Sequence, residues 1–425
     1  MSWQCHDAVT RMSPGRATVA AMDASPLSFV ELPADADRLR VAVVTETYPP
    51  EINGVALTTA RVVDGLVKQG HSVMLVRPRQ GADDVPAQEA RYEEMLARGL
   101  PIPRYPHLKM GLPARTALIR LWSVRRPDVV LVVTEGPLGG SALAAARKLR
   151  LPTITEFHTN FHSYSTYYGV GWLKTPVKAY LRRFHNKGEL CLVPTRALAE
   201  SLQQDGVRQI EVVPRGVDTA LFSPTRRDEA LRASWGAEPH TLVVAVVGRL
   251  APEKNLSLAI RAFEAIVQRV PEAKLLFVGD GPSRESLARR YPEHCYAGMR
   301  TGEDLAAHYA SADLFLFPSL TETFGNVTTE ALASGLPVVC FDYAAGAERV
   351  RNGHNGWLAP VADEDAFVEA ALRVAGDRGA RLAMAANACQ SVQHIGWPAV
   401  AAQMTQVMRG IIKQHEVRHG LWVPG

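Results

Sequence analysis

Several features that define whole classes of protein are missing from this sequence. Its five cysteines are scattered through 425 residues, and no pair has the Cys-x-x-Cys spacing of many metal and redox sites. Scattered cysteines indicate reduced, mostly buried thiols in a cytosolic protein. No apolar run reaches the roughly 18–20 residues that a membrane-spanning helix needs, so no transmembrane segment is predicted. The cysteines are Cys5, Cys191, Cys295, Cys340 and Cys389.

A strong charge of one sign is also missing. The 47 lysines and arginines exceed the 43 aspartates and glutamates by only four. This mildly basic balance suits anionic partners such as diphosphates or acidic lipid headgroups, but it is far too weak to predict nucleic-acid binding. Hydrophobic residues make up 47 % of the chain and charged residues 21 %, so a folded globular protein is expected.

The first 38 residues lack sustained periodicity and lack the long apolar core of a signal peptide. They mix Ser, Pro, Ala and Asp, a composition that indicates a loosely structured leader. We therefore predict a cytoplasmic protein in which residues 1–38 precede the folded part.

After residue 38, short β-branched apolar runs alternate with helical patterns, which is typical of parallel α/β structure. Runs such as VVLVV and LVVAVV are apolar at consecutive positions, as expected for strands that helices cover on both faces. The predicted strands are Arg40–Thr45, Ser72–Val76, Asp128–Val133, Thr153–Thr155, Leu190–Val193, Leu242–Val247, Lys274–Val278, Leu314–Phe317 and Pro337–Phe341.

The strand–helix series begins again near residue 215, after the Pro, Gly and Asp of EVVPRGVDTALFSPTRR. Because the chain is too long for one ordinary core, we predict two facing, Rossmann-like doubly wound domains, residues 39–215 and 216–395. Ligands of such sheets bind at the carboxyl ends of the strands, so the predicted site is the cleft between the domains. A last helical stretch, in residues 396–425, is expected to pack back on the first domain.

Two carboxylates follow the strand LFLF of the second half. In PSLTETFGNVTTEALASGLPVV a polar turn carries Glu322 and an Ala-rich helix carries Glu330. Their spacing allows both to face one cleft, where carboxylates accept well from paired sugar hydroxyls. The Gly325-Asn326 turn frees backbone N–H groups that can receive a diphosphate or a sugar hydroxyl. Each carboxylate alone also has a simpler explanation. Glu330 could be a glutamate that the helix dipole favours near a helix N-terminus, and Glu322 could be a solvated side chain.

A basic loop follows the first strand of the second half. VVGRLAPEKN places Arg249 and Lys254 before a helix that is predicted from about Leu256. A guanidinium and an ammonium suit the two phosphates of a substrate and would stabilise a departing diphosphate. A solvated helix N-terminus is the alternative, although the helix dipole disfavours cations there.

Two segments of the first half also follow strands. In TETYPPEINGVALTTA, Asn53-Gly54 opens a helix where a phosphate or an acceptor can approach the backbone, although Asn-Gly also marks ordinary turns. In TEFHTNFHSY, His158 and His162 have the spacing of a metal pair, but no third ligand is evident nearby. A structural histidine remains an alternative for each.

Taken in order, these motifs resemble those of the retaining glycosyltransferases of family 4, which have the GT-B fold of two facing Rossmann-like domains. The resemblance covers about residues 40–395. It implies that Glu322 contacts the hydroxyls of the donor sugar and that Glu330 binds the ribose hydroxyls. The donor-binding set that it implies around the first carboxylate is Thr323, Phe324, Gly325 and Asn326, the first three through their backbone amides.

The same resemblance assigns roles on both sides of the cleft. Arg249 and Lys254 would bind the donor diphosphate, and the glycine loop at Gly54 would close over a phosphate. His158 would lie near the anomeric centre and stabilise or align the reacting sugar, so that the implied catalytic residues are His158, Glu322, Arg249 and Lys254. GDGP at Gly279–Pro282 resembles the turn beside the nucleotide, and Arg215–Asp218 resembles the hinge motif. Glu46, after the first strand, is a candidate acceptor contact or a structural residue.

No metal or other cofactor is predicted. Asp-x-Asp pairs occur at Asp35/Asp37, in the leader, and at Asp363/Asp365, where an N-cap and an acidic first helical turn explain them better. Neither pair follows a strand of the predicted cleft. The cations of the basic loop are expected to supply the positive charge for the diphosphate instead.

A basic, partly apolar stretch, Arg104–Arg126, could dock on anionic lipid or could be a solvated helix packed on the sheet. FHTNFHSY and AERVRNGHNGWLAP are similar to segments of GDP-mannose-dependent alpha-mannosyltransferases and of enzymes like sulfoquinovosyl-diacylglycerol synthase. The resemblance therefore implies a peripheral membrane enzyme on the inner face of the plasma membrane.

The expected activity is retaining transfer of a hexose, mannose or glucose, from a GDP- or UDP-sugar to a lipid or glycan acceptor. A nicotinamide-dependent oxidoreductase is disfavoured because no Gly-x-Gly-x-x-Gly follows a strand. A nucleotide-sugar epimerase of the same architecture and a non-catalytic sugar-nucleotide-binding protein remain as alternatives.

Overall fold

The computed structural model describes residues 38–51, 53–81, 83–86, 91–102, 105–158 and 174–420. The described residues from Leu39 onward form one compact unit. Both large sheets of the protein lie within it. None of the helices in these ranges combines the length with the apolar composition of a membrane-spanning segment.

The first half forms a seven-stranded parallel sheet and a separate antiparallel hairpin. The sheet strands are β1 (Arg40–Val44), β2 (Ser72–Pro78), β3 (Glu93–Ala97), β6 (Val129–Val132), β7 (Thr153–Glu156), β8 (Leu190–Val193) and β9 (Ile210–Val212). The hairpin strands are β4 (Gly99–Ile102) and β5 (Tyr105–Gly111). The order of the seven strands across the parallel sheet is β3-β2-β1-β6-β7-β8-β9.

Helices cover both faces of this sheet, as the continuous apolar strands require. On β1, Val41 and Val43 pack in one cluster with side chains of the first and last helices of the chain. Ala42 and Val44 pack on the other face. The helices of the first half are α1 (Gly54–Lys68), α2 (Arg115–Val124), α3 (Pro137–Leu149), α4 (Lys174–His185) and α5 (Arg196–Gln204).

The second half forms a six-stranded parallel sheet in the order β12-β11-β10-β13-β14-β15. Its strands are β10 (Val243–Val247), β11 (Lys274–Val278), β12 (Cys295–Gly298), β13 (Leu314–Phe317), β14 (Val338–Phe341) and β15 (Gly356–Ala359). Its helices are α6 (Glu229–Ser234), α7 (Leu256–Val267), α8 (Arg284–Arg290), α9 (Gly302–Ala310), α10 (Asn326–Ala333), α11 (Ala344–Arg349), α12 (Glu364–Gly376) and α13 (Arg378–Val392). Buried residues on both sheet faces form two separate clusters.

The chain crosses from the first half to the second near Val217 and returns to the first half near Gly396, and these two crossings lie side by side. The backbone N–H of Val217 donates to the carbonyl of Ile395 at 3.1 Å, and Val217 and Gly396 form a parallel bridge. The last helix, α14 (Trp397–His419), starts here, and its buried side chains, such as Met404 and Met408, pack in the cluster that contains Val41 and Val43. α14 therefore packs against the first sheet and α1.

All nine predicted strands form, and the α/β class is confirmed. The pattern did not predict β3, β9, β12 and β15, nor the β4–β5 hairpin. The first four are the edges of the two sheets. Of the cysteines, Cys191 and Cys340 are buried, whereas Cys295 and Cys389 are half-buried; Cys5 lies outside the described residues.

Candidate active site

The basic loop joins β10 to α7. Gly248 leaves the strand with a φ of 140°, and a short 3-10 turn, Pro252–Lys254, precedes Asn255, which caps α7 in the left-handed region. The Arg249 guanidinium is partly exposed and lies 3.7 Å from the buried carboxylate of Glu253. The loop therefore holds Arg249 and Lys254 at the carboxyl end of β10.

The turn after β11 packs directly on this loop. The backbone N–H of Leu250 donates to the Asp280 carbonyl at 2.9 Å, and Ser283 N–H donates to the Leu250 carbonyl at 2.9 Å. A Cβ on Gly279 would lie 2.0 Å from the Gly248 oxygen, and one on Gly281 would lie 2.5 Å from the Leu250 oxygen. Glycine is therefore needed at both positions of GDGP, because a side chain there would prevent this turn from packing against the β10–α7 loop.

Lys254 and Glu322 meet in the second half. The Lys254 ammonium forms an ion pair with Oε1 of Glu322, and the same oxygen accepts from the Ser319 hydroxyl at 2.7 Å. The ammonium also lies 5.9 Å from the centre of the Phe317 ring. The side chains of Lys254 and Glu322 are 18 % and 14 % exposed, so both remain accessible to a ligand.

The backbone around Glu322 is held by the start of α11 and by Tyr343, the residue before it. Tyr343 donates its hydroxyl to the Glu322 carbonyl at 2.8 Å, and the Ala345 N–H donates to the Phe324 carbonyl at 2.7 Å. Gly325 has a φ of 88° and precedes α10. Among the described residues, none accepts a hydrogen bond from the backbone N–H of Thr323, Phe324 or Gly325. This loop therefore offers three adjacent donors.

Glu330 lies in the middle of α10 and is half-buried. The Tyr309 hydroxyl donates to its Oε2 at 3.0 Å. Burial raises the pKa of Glu330 to about 7, while the Tyr309 hydrogen bond and the charge of Arg61 act to lower it. The carboxylate therefore titrates near neutral pH.

His158 follows β7 and is part of a buried polar cluster with Glu156 and Arg215. Arg215 forms an ion pair with Oε1 of Glu156 and also donates to Nδ1 of His158 at 3.2 Å. The other ring nitrogen, Nε2, lies 3.2 Å from Oε2 of Glu156. Burial acts to raise the pKa of Glu156, but His158 and Arg215 hold it below the usual range.

Beside this site, described residues of the two halves contact each other directly. The Thr323 hydroxyl donates to the His158 carbonyl at 2.7 Å, and the Asn326 side chain donates to the Thr58 hydroxyl at 3.4 Å. Arg61 forms a 3.0 Å ion pair with Asp218. The start of α10 thus lies against α1 and the end of β7.

Gly54 is the first residue of α1. Asn53 caps this helix by accepting from the Ala56 N–H at 2.9 Å, and it donates to the Thr47 hydroxyl at 2.7 Å. A Cβ on Gly54 would meet no atom within 4 Å. The space beside the helix start is therefore open to a ligand.

Two other expectations, for Glu46 and Asp363, have structural outcomes. Glu46 is buried and accepts from the N–H groups of Gly111 at 2.5 Å and Leu138 at 2.8 Å, so its role is to join β5 to the start of α3. Asp363 caps α12 and accepts from the Ala366 N–H at 3.0 Å, as predicted. In the described chain, no group of three or more metal-ligating side chains occurs. His162, Asp35 and Asp37 lie outside the described residues.

Two partners of the predicted residues were not predicted from the sequence. Tyr309 is 21 residues from Glu330, and Glu156 is 59 residues from Arg215. Only the topological rule that strand ends meet could have suggested the second pair. Nothing in the local pattern distinguishes Tyr309 from an ordinary buried aromatic residue.

Two parallel sheets with helices on both faces, and a basic loop and carboxylates at strand carboxyl ends, fit the class of GT-B glycosyltransferases. The model of the family described as "Glycosyltransferase Family 4" matches residues 52–221, and that of "Glycosyl transferases group 1" matches residues 241–377. The chain belongs to glycosyltransferase family 4.

Relatives and a solved structure agree with this assignment. A GDP-mannose-dependent alpha-mannosyltransferase of Corynebacterium glutamicum is 32 % identical over 88 % of this chain and 89 % of its own. The sulfoquinovosyl transferase SQD2 of Arabidopsis thaliana is 28 % identical over 86 % of this chain and 72 % of its own. Sucrose-phosphate synthase from Thermosynechococcus elongatus is 18 % identical and has a TM-score of 0.70, covering 89 % of this chain and 100 % of its own. That structure shows the shared fold.

Proposed function

We propose that this enzyme transfers a hexose with retention of configuration from a nucleotide sugar, GDP-mannose in the first place, to a lipid acceptor. The observation that carries the donor half is the contact of Lys254 with Glu322 at the carboxyl ends of β10 and β13. One group suits the diphosphate and the other suits the sugar hydroxyls. The similarity to the Corynebacterium enzyme, whose name specifies GDP-mannose, supports the choice of donor.

In this proposal Lys254 and Arg249 bind the diphosphate. As the bond from the anomeric carbon to the phosphate oxygen breaks, negative charge grows on the leaving group, and two cations fixed by the β10–α7 loop stabilise it. No metal is required for this step, because the loop supplies the charge. Activity that survives prior treatment with a chelator would support this proposal, and activity restored only by a divalent metal would contradict it.

The sugar and ribose are held by the α10 region. Glu322 and the N–H groups of Thr323, Phe324 and Gly325 bind the sugar hydroxyls, and Glu330 binds the ribose hydroxyls. His158 contributes to the anomeric side through its position, which Arg215 and Glu156 fix by their contacts with its ring. The acceptor then attacks from the face on which the diphosphate leaves.

Thermal shift with GDP, UDP and ADP tests the donor site, because a ligand that binds only the folded state raises its stability. We expect the largest rise with GDP and a smaller rise for Lys254→Ala than for Lys274→Ala, a lysine at the start of β11. A stability that none of the three nucleotides changes would contradict the proposed site. A larger rise with UDP would retain the site and correct the donor.

The face formed by α2, α3 and α4 supports the proposal of a lipid acceptor. These helices pack on one side of the first sheet, in a cluster that contains Trp122, Leu143 and Phe184. Residues 112–127, 136–152 and 174–188 contain no aspartate or glutamate. Their cations are Arg115, Arg120, Arg125, Arg126, Arg147, Lys148, Arg150, Lys174, Lys178, Arg182, Arg183 and Lys187.

Such a face suits a peripheral position on an anionic membrane, where each cation near the surface contributes about 1 kcal/mol. Part of this charge is already paired, as Arg125 is with Glu93 and Lys178 is with Asp205. We expect sedimentation with vesicles that contain phosphatidylglycerol, release by salt, and weaker binding of the variant Arg120→Glu/Arg183→Glu. Equal binding to neutral vesicles would contradict docking through these cations, and no binding would contradict membrane docking altogether. Either result would leave the donor site untouched.

Donor turnover separates the remaining alternatives. An epimerase would convert the nucleotide sugar without an acceptor, and a non-catalytic binding protein would convert nothing. We expect release of GDP that depends on acceptor lipid.

A further inference from the structure

Tyr309 is fixed in the core of the second half, beside the donor site. It lies near the end of α9, is fully buried, and packs edge-on against Phe222 and Phe315, with ring centres 5.7 Å and 5.9 Å away. A ring packed in this way cannot change direction without disturbing its neighbours. The position of its hydroxyl is therefore set by the fold.

This hydroxyl occupies one oxygen of the Glu330 carboxylate. It donates to Oε2 at 3.0 Å, and Oε1 has no hydrogen-bond partner among the described residues. Burial and the neighbouring carboxylate raise the pKa of Tyr309 well above its ordinary value, so the hydroxyl remains a donor. The arrangement leaves the second oxygen of Glu330 available to another donor.

We propose that Tyr309 is a positioning residue of the donor site, whose hydroxyl holds Oε2 of Glu330 so that the ionised carboxylate presents Oε1 to the ribose hydroxyls. The inference rests on the proposed function, in which Glu330 binds the ribose. A tyrosine that merely fills the core is the competing explanation. The two explanations differ in what loss of the hydroxyl alone would do.

The charge of Glu330 makes that difference measurable. Burial raises the pKa of Glu330 to about 7, and the Tyr309 hydrogen bond and Arg61 of α1 act against this rise. Loss of the hydroxyl therefore raises the pKa further, and a larger fraction of Glu330 is protonated at neutral pH. The other charged or titratable groups on the elements that contact α10 are Glu303, Asp304 and His308 on α9, Cys340 on β14, Glu348 and Arg349 on α11, and Arg378, Arg381 and Cys389 on α13.

Calorimetric titration of the full chain with GDP, between about pH 6 and pH 9, tests the proposal, since this range brackets the titration of Glu330. We expect wild-type affinity to strengthen as the pH rises through about 7. For Tyr309→Phe, which keeps the ring, the midpoint should move to higher pH. Affinity should be about fivefold weaker at pH 7, the value of one ordinary hydrogen bond, and should recover toward pH 9.

Two further variants make the result decisive. Glu330→Gln should remove this pH dependence, and Tyr296→Phe, which loses a 3.1 Å hydrogen bond to the Tyr291 carbonyl elsewhere in the same half, should behave as wild type. A wild-type midpoint in Tyr309→Phe, together with a flat profile in Glu330→Gln, would overturn the role of Tyr309 alone. Unchanged binding and an unchanged profile in Glu330→Gln would instead remove Glu330 from the donor site, and with it this part of the proposed function.

Discussion

At the scale of single residues, the site depends on charges that are already paired before a donor binds. Lys254 is bound to Glu322, and Arg215 to Glu156, but the two pairs differ in burial. The Lys254–Glu322 pair is partly exposed, so its contribution to the free energy of folding is small. Each of its two side chains can therefore leave the pair to bind a ligand. The Arg215–Glu156 pair is almost fully buried, so loss of one partner leaves an uncompensated charge inside the protein.

Lys254→Ala should lower kcat on the order of 10²-fold or more, because a cation that faces the departing diphosphate stabilises mainly the transition state. The matched control is Lys274→Ala, at the opposite end of a strand next to β10. Steady-state kinetics with GDP-mannose measures the effect. Equal kcat values for the two variants would remove Lys254 from the catalytic machinery.

Glu156→Gln should destabilise the fold by roughly 3–5 kcal/mol, because Arg215 would remain buried without its counter-charge. The folded-state pKa of Glu156 lies below the usual range, so the wild-type advantage is present at neutral pH. It should be lost as the pH falls into the acid region through that lowered value. Urea unfolding at neutral and acid pH measures this.

Asp64→Asn provides the comparison, since it breaks the exposed pair with Lys68 on α1 and should change stability by well under about 1 kcal/mol. Similar losses in both variants, or a loss for Glu156→Gln that does not depend on pH, would contradict the account of the buried cluster.

The positions of predicted residues are easiest to infer from the sequence where one short segment carries several of them. Glu322, Gly325 and Glu330 are close in sequence, and the strand that precedes them fixes where they lie. The contacts of Tyr309 with Glu330 and of Glu156 with Arg215 arise from packing between distant segments. The sequence alone does not indicate which residues from such distant segments come into contact.

At the scale of elements, the apolar pattern predicted the central strands because they are buried on both faces. Strands such as β10, with sequence VVAVV, are continuous apolar runs, whereas the edge strand β3 has the sequence EEMLA. An edge strand is partly covered and tolerates polar residues, so the signal that identifies a parallel strand weakens there. The missed strands of the two sheets are therefore explained by their position.

Gly281→Ala should weaken donor binding and lower the melting temperature, because its φ is 154° and a Cβ would lie 2.5 Å from the Leu250 oxygen. The basic loop would have to move away from the GDGP turn. The control is Gly376→Ala, at the end of α12, where a Cβ meets no atom within 4 Å. Nucleotide titration and thermal unfolding compare the two. Wild-type behaviour of Gly281→Ala would show that the turn does not position the loop.

At the scale of the whole molecule, function depends on residues that the two halves bring together. The second half carries the phosphate loop and both carboxylates, and the first half contributes α1 and the end of β7. Their meeting was predictable, because parallel sheets present ligands at strand carboxyl ends. The boundaries 39–215 and 216–395 remain a proposal, and α14 crosses back to contact α1.

The central claim is transfer of the sugar with its configuration retained. The most direct test is proton NMR of the purified glycolipid made by this enzyme from GDP-α-mannose. We predict an α-linked product, and no product from Glu322→Gln under the same conditions. A β-linked product would contradict the proposed front-face mechanism.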